Sequence, residues 1–176
     1  MLGLAHGQNR LVNYDNLWPR LFEAERTRLA RALEGIAEAI EHYGSTAVPG
    51  LMAKPILDIL IGVVPLARWQ ECHDPLLALG YDYAALAGVP GHHIFGRGRD
   101  RAERTHLVHV VEFGGPSWVS NLAFRDALRT QPELRAAYES AKQSAVAGAP
   151  ANRPRYNELK QGFIDQAKKS LSDSGA

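Results

Sequence analysis

Between residues 19 and 40 the apolar side chains Leu21, Phe22, Leu29, Leu33 and Ile36 recur at helical spacing, with Glu23, Arg26, Arg28 and Glu34 on the other faces. This predicts an amphipathic helix with Pro19 in its first turn. The period then changes. Residues 56–63 read Ile-Leu-Asp-Ile-Leu-Ile-Gly-Val, the near-continuous aliphatic run of a strand buried on both faces. A shorter strand is expected ahead of it, entering a turn at Gly44-Ser45, with Pro49-Gly50 and Lys54-Pro55 punctuating the connection. Upstream of all this, residues 2–13 have no period and predict a flexible arm, with Trp18 as the anchor of the ordered chain.

Residues 65–79 predict a second helix closed by Gly80. Residues 81–85 and 92–95 are two short strand-like runs separated by Gly88, Pro90 and Gly91, a hairpin composition. Residues 105–113 form the last strand, ended by Gly114-Gly115-Pro116, with Ser117 expected to cap the next helix. Three helices follow at 118–130, 132–147 and 154–171, broken at Gln131-Pro132 and Gly148-Ala149-Pro150, and residues 172–176 are expected to be loose. The order predicts one α/β (α+β) domain over residues 1–176. Its mixed sheet, flanked by helices, covers about residues 14–113, and a helical tail covers about 116–171.

Composition narrows the function classes. The 176 residues are 45% hydrophobic and 22% charged, enough for one domain with a substantial core. Twenty basic and 19 acidic residues give a formal charge of +1, so no global field draws the chain to nucleic acid or to an anionic membrane, and phosphate binding must be local. The single cysteine, Cys72, excludes an internal disulfide framework and is read as an inert, half-buried thiol. No apolar run approaches a membrane span, and no secretory leader is evident; the expected compartment is the cytoplasm.

The chemistry concentrates in residues 40–63. Asp58 interrupts the aliphatic run, and a bare carboxylate there is costly unless paired. The Gly44-Ser45 turn offers backbone N–H groups and a hydroxyl to an anion, and Lys54 adds a compact positive charge nearby. Arg97 opens a charged loop with Arg99, Asp100, Arg101, Glu103 and Arg104, whose readings are solvated surface or phosphate contact. Arg125 and Asp126 are expected to pair and close the helical tail over the sheet. Trp18, Trp69, Trp118 and Phe124 are read as packing residues.

The stretch I-E-H-Y-G-S-T-A-V-P-G-L-M-A-K-P-I-L-D-I, from residue 40 to 59, resembles the signature of the GrpB-like proteins, which belong by fold to the nucleotidyltransferase superfamily. The likeness extends to Tyr14-Asp15-Asn16 with Trp18-Pro19, to His106 and His109, to Phe124-Arg125-Asp126, to Pro132-Glu133-Leu134 with Tyr138, and to residues 156–164. It covers nearly the whole chain. The resemblance implies a Gly-Ser turn that holds phosphates and two carboxylates, two residues apart on the next strand, that hold divalent metal. Residues i and i+2 of a strand face one way and can share an ion pair. The pair here would be Asp58 and Leu60, and leucine ligates nothing.

Replacement ligands for a divalent metal (Mg, Mn or Zn) are sought on the last strand, in His106 and His109. These are three apart, so regular alternation sends them to opposite faces, and only a bulge would bring both to Asp58. His109 is the better candidate, and the alternative for both is an ordinary polar position in a sheet. Two functions follow. One is a metal-dependent, nucleotidyltransferase-like enzyme acting through Asp58 and His109 on a nucleoside phosphate or other phosphorylated small molecule. That molecule would be held by Gly44, Ser45, Lys54 and Arg97. The other is a non-catalytic phosphate-binding adaptor that has lost the second carboxylate. Some GrpB-like domains are fused to dephospho-coenzyme A kinase, which fits an auxiliary role.

Overall fold

The computed structural model describes residues 1–85, 89–99 and 102–174. Gly88 of the expected hairpin, Asp100 and Arg101 of the charged loop, and the last two residues of the expected loose end lie outside the described residues.

The N-terminal segment is tied down rather than flexible. Strand β1 (Leu4–Ala5) pairs antiparallel with β6 (Glu103–Arg104), Leu4 is buried, and Val12 bridges Ala53. Partner strands far along the chain order a segment whose own sequence has no period. Helix α1 (Trp18–Ala32) has Pro19 in its first turn and buries Trp18, Phe22 and Leu29. It stops eight residues before the expected end, because Gly35, at φ 74°, turns the chain back into β2 (Ala39–Tyr43). Positive φ is a conformation that glycine adopts without strain.

Strand β3 (Leu57–Val63) follows a short 3₁₀ turn at Ser45–Ala47. The expected second helix is a 3₁₀ segment, Leu66–Cys72, continued by α2 (His73–Ala78). Strands β4 (Asp82–Tyr83) and β5 (His93–Arg97) form the antiparallel hairpin, and β7 (His106–Glu112) is the last strand. Helix α3 (Pro116–Thr130) is capped at Gly115 rather than Ser117. Helices α4 (Pro132–Gly148) and α5 (Arg153–Ser174) complete the tail, and α5 continues through the start of the segment expected to be loose.

The five-stranded sheet has the order β2-β3-β7-β5-β4. The central pair β3 and β7 is parallel and the other neighbours are antiparallel, so the sheet is mixed. One face carries Leu57, Ile59, Ile61 and Val63 of β3 with Val108 and Val110 of β7, packed on α1 and α2. The other carries Leu60 and Val111 beneath Trp118 of α3. Helix α3 also packs against α4 and α5 through Phe124, Leu128, Tyr138 and Ala167. Arg125 fastens this layer to the sheet: its guanidinium pairs with Asp126 at 2.8 Å and Glu41 at 2.7 Å and donates to the His42 carbonyl. The expected closing role of this residue thus extends to a strand partner. Cys72 is fully buried, deeper than expected, and burial pushes its thiol up to about 11. No helix among the described residues is long and apolar enough to cross a membrane.

Candidate functional site

The site forms where the turn after β2 meets the start of β3. Gly44 sits at φ 70°, and a Cβ there would press on the Asp58 side chain, so conformation and space both require glycine. Ser45 begins the 3₁₀ turn that follows. Its neighbour Thr46 is buried, with its hydroxyl 3.0 Å from His42 Nε2.

Strand parity then sorts the sequence candidates. Residues 57–63 match 106–112 one to one, so there is no bulge between His106 and His109. Asp58 and His109 face the cleft under the helical tail, while His106 belongs to the other face. There Arg97 Nη2 donates to Glu25 Oε2 at 2.7 Å and lies 3.2 Å from His106 Nε2. Glu25, 4% exposed, also accepts from the Tyr81 hydroxyl at 2.8 Å and from Arg28 at 2.9 Å. Arg97 and His106 are thus committed to a buried network on the far side of the sheet, and the structure does not bring them to Ser45 and Asp58. Of the remaining loop charges, Arg99 pairs with Glu103 at 3.1 Å and Arg104 with Asp82 at 2.7 Å.

The cleft has two lobes, of about 250 and 320 Å³, that share Ser45, Asp58, Lys160 and Gln161. The larger is lined by Lys54, His109, Lys142, Arg153 and Tyr156; the smaller by Tyr43, His92, Asn121, Phe124, Tyr138 and Lys168. Gly44, Ser45, Lys54, Asp58 and His109 are therefore brought together. Sequence reasoning missed the cations of the tail. Two signals for them existed: Lys142 falls on the stripe Tyr138, Lys142, Ala145, all three buried, and Tyr156 and Lys160 lie in a stretch that carries the family likeness.

Asp58 is partly buried, and among the described residues its carboxylate has no hydrogen-bond or close ion-pair partner. Burial pushes it up to about 6, against the pull of Lys160, Lys54 and Arg153. The Lys54 ammonium lies 3.6 Å above the Tyr156 ring; burial, then Arg153 and Lys160, push it down to about 6. Lys142 is 1% exposed and lies 3.4 Å from Ser45 Oγ while also donating to the Met52 carbonyl. Burial and then Lys160 lower it to about 7, with Glu139 opposing. His109 lies 3.1 Å from His92, Nδ1 to Nδ1, and burial holds it down at about 3.

The donors do not fit an ion held by the protein alone. Among the described residues no three His, Cys, Asp or Glu side chains gather. Leu60 is apolar and covered, His106 faces away, and the nearest charges to Asp58 are cations. What the cleft offers is ammonium, guanidinium, hydroxyl and amide groups around one carboxylate, a lining suited to an anion.

A solved GrpB structure from Enterococcus faecalis superposes with TM-score 0.82 at 30% identity, covering 95% of this chain and all of that one. A solved structure of Cid1 in complex with its short product ApU aligns with 74% of this chain and 40% of that one, at TM-score 0.48 and 13% identity, too loosely to bear on activity. Among curated proteins, the glutamate-rich protein GrpB of Alkalihalophilus pseudofirmus is 33% identical over 169 residues, 94% of this chain and 97% of that protein. A dephospho-CoA kinase of Mycolicibacterium paratuberculosis is 31% identical over 193 residues, and the match spans 47% of its length. The model of the GrpB protein family matches residues 8–170, and the chain belongs to that family.

Proposed function

We propose that the chain binds a phosphorylated small molecule, a nucleoside phosphate foremost, in the cleft between the Gly44-Ser45 turn and the helical tail. One observation carries the reading. Arg153 and Lys160, with the Lys54 and Lys142 amines beside them, face a cleft in which Asp58 is the one carboxylate among the described lining residues. In a partly enclosed site such charges act at low effective dielectric and concentrate polyanions. The phosphates belong in the cationic lobe. The smaller lobe, with Phe124, Leu128 and Ile164 beside the amides of Asn121 and Gln161, suits the organic part of the ligand.

Group transfer is the second reading, favoured by Asp58 at the head of an apolar strand, without a close partner among the described residues. A carboxylate displaced toward neutrality in a cleft is suited to accept a proton. Metal-dependent nucleotidyl transfer is the weaker form of this reading, because Asp58 and His109 make an incomplete set for Mg, Mn or Zn.

A thermal-shift screen of nucleoside triphosphates and inorganic triphosphate, with and without those ions, tests the binding. A ligand at 100 times its Kd stabilises by about 2.7 kcal/mol. Stabilisation by triphosphates without metal is the expected result; no shift with any phosphate would overturn the reading.

A further inference from the structure

We propose that Ser45 is a nucleophile activated by Lys142, and that it accepts a phosphoryl-type group from a phosphoanhydride bound in the cleft. The inference rests on the phosphate-binding reading above. Activated serines share a geometry: a hydroxyl in contact with a base, the base oriented by a third group, and an electrophile site beside both. Ser45 Oγ and Lys142 Nζ are 3.4 Å apart. Lys142 is oriented by an N–H donated to the Met52 carbonyl. The Tyr138 ring lies under the ammonium at 4.9 Å, which confines the base further. Arg153 and Lys160 line the same lobe beside Lys54, where the two cations would neutralise the phosphate under attack.

A neutral amine is required, and burial favours one. The groups that bias Lys142 are Lys160 of α5, which disfavours its charge, and Glu139 of α4, which favours it; Lys54, Asp58 and Arg153 face the same lobe. In the step, Ser45 Oγ forms a bond to phosphorus as the bond from phosphorus to the bridging oxygen breaks. The hydroxyl proton passes to Lys142 Nζ, and the leaving phosphate or pyrophosphate departs with the bonding pair. A leucine or arginine at residue 142 would leave Ser45 without its base.

Reaction with a fluorophosphonate probe, which forms the same Oγ–P bond and expels fluoride, tests the dyad without requiring ligand binding. Peptide mapping should place the adduct on Ser45, with a rate that rises as pH passes through about 7. Lys142→Arg keeps the charge and Lys142→Leu keeps the packing, and each should lower the rate at least tenfold, with the fold checked by circular dichroism. No adduct on Ser45 in the parent protein, or an undiminished rate in both variants, would overturn the proposal. Calorimetry with inorganic triphosphate separates the two readings. Binding without Ser45 labelling removes the dyad alone, and labelling without binding removes the phosphoanhydride as its donor.

Discussion

Gly44 and Asp58 are packed so closely that a Cβ on the glycine would stand 2.5 Å from Asp58 Oδ2. Gly44→Ala therefore meets two penalties: a positive-φ, extended backbone (φ 70°, ψ −171°) that essentially only glycine occupies, costing about 1–3 kcal/mol, and overlap with a side chain fixed in the sheet, adding about 1–3 kcal/mol. Gly50 separates them, since its φ is 78° but nothing lies within 4 Å of its Cβ position. Urea unfolding should show Gly44→Ala destabilised by more than Gly50→Ala. Equal losses would mean that Asp58 yields, and that the turn does not fix its position.

Stability should fall as pH drops from 7 toward 5. Burial holds His42 at about 3 and His106 at about 4, and in both cases the neighbouring guanidiniums add to the effect; His109 stands at about 3. An unfolded histidine titrates near 6.5. Below that value the unfolded chain takes up protons that the folded chain refuses, so the neutral-histidine contribution is complete above about 6.5 and is lost on acidification. Each histidine contributes a slope of up to about 1.4 kcal/mol per pH unit. Asp58, pushed up to about 6, works in the opposite direction, while Lys54 and Lys142, pushed down to about 6 and about 7, act with the histidines. Urea midpoints at pH 7 and pH 5 measure the loss, and His106→Gln should shrink it. A flat profile would mean that the histidines are hydrated in the fold.

The strand that organises the site was legible because residues 56–63 are a near-continuous aliphatic run with one anomaly, Asp58, and strand alternation gives each of them its face. The same parity foretold that His106 and His109 part company, since β7 runs beside β3 without a bulge. Arg97 opens a run of charges that reads as a loop, yet β5 extends to it, and Glu25, 72 residues away, claims it. The cations of the cleft were hidden for a related reason. Lys142 and Ser45 are 97 residues apart, and only the packing of α4 and α5 over the sheet joins them. Local pattern reports which face a residue takes, while the partner waiting on that face is a tertiary fact.

Leu60 tests whether the missing carboxylate can simply be restored. It shares the Asp58 face, as period two requires, but is fully buried between Val111 and Trp118. An aspartate there would lose the packing of a core leucine, at about 2–5 kcal/mol, and would leave a charge without a partner. Leu60→Asp should therefore unfold at lower urea by at least about 3 kcal/mol and gain no Mg²⁺-dependent transfer of labelled nucleotide. A stable variant with new transfer activity would show that the region opens to solvent and ligand.

Asp58→Asn distinguishes an anion site from a metal site by the sign of its effect. In a cleft lined by Lys54, Lys142, Arg153 and Lys160, the Asp58 carboxylate repels phosphates wherever no ion lies between them. At an effective dielectric near 20 and a separation of several ångströms, that repulsion is roughly 2 kcal/mol before screening, and loss of it should tighten inorganic triphosphate binding several-fold without metal. Removing the charge also withdraws the group that favours the Lys54 ammonium, which trims the gain. Were Asp58 to bind through a divalent ion, the same substitution would weaken binding in Mg²⁺ or Mn²⁺, because an amide holds such ions poorly. Calorimetry of parent and variant, each with and without the ions, reads the sign directly. Tighter metal-free binding by Asp58→Asn is the expected outcome. Weaker binding confined to the metal-containing arm, together with metal-dependent turnover in the parent, would return the site to metal-assisted transfer.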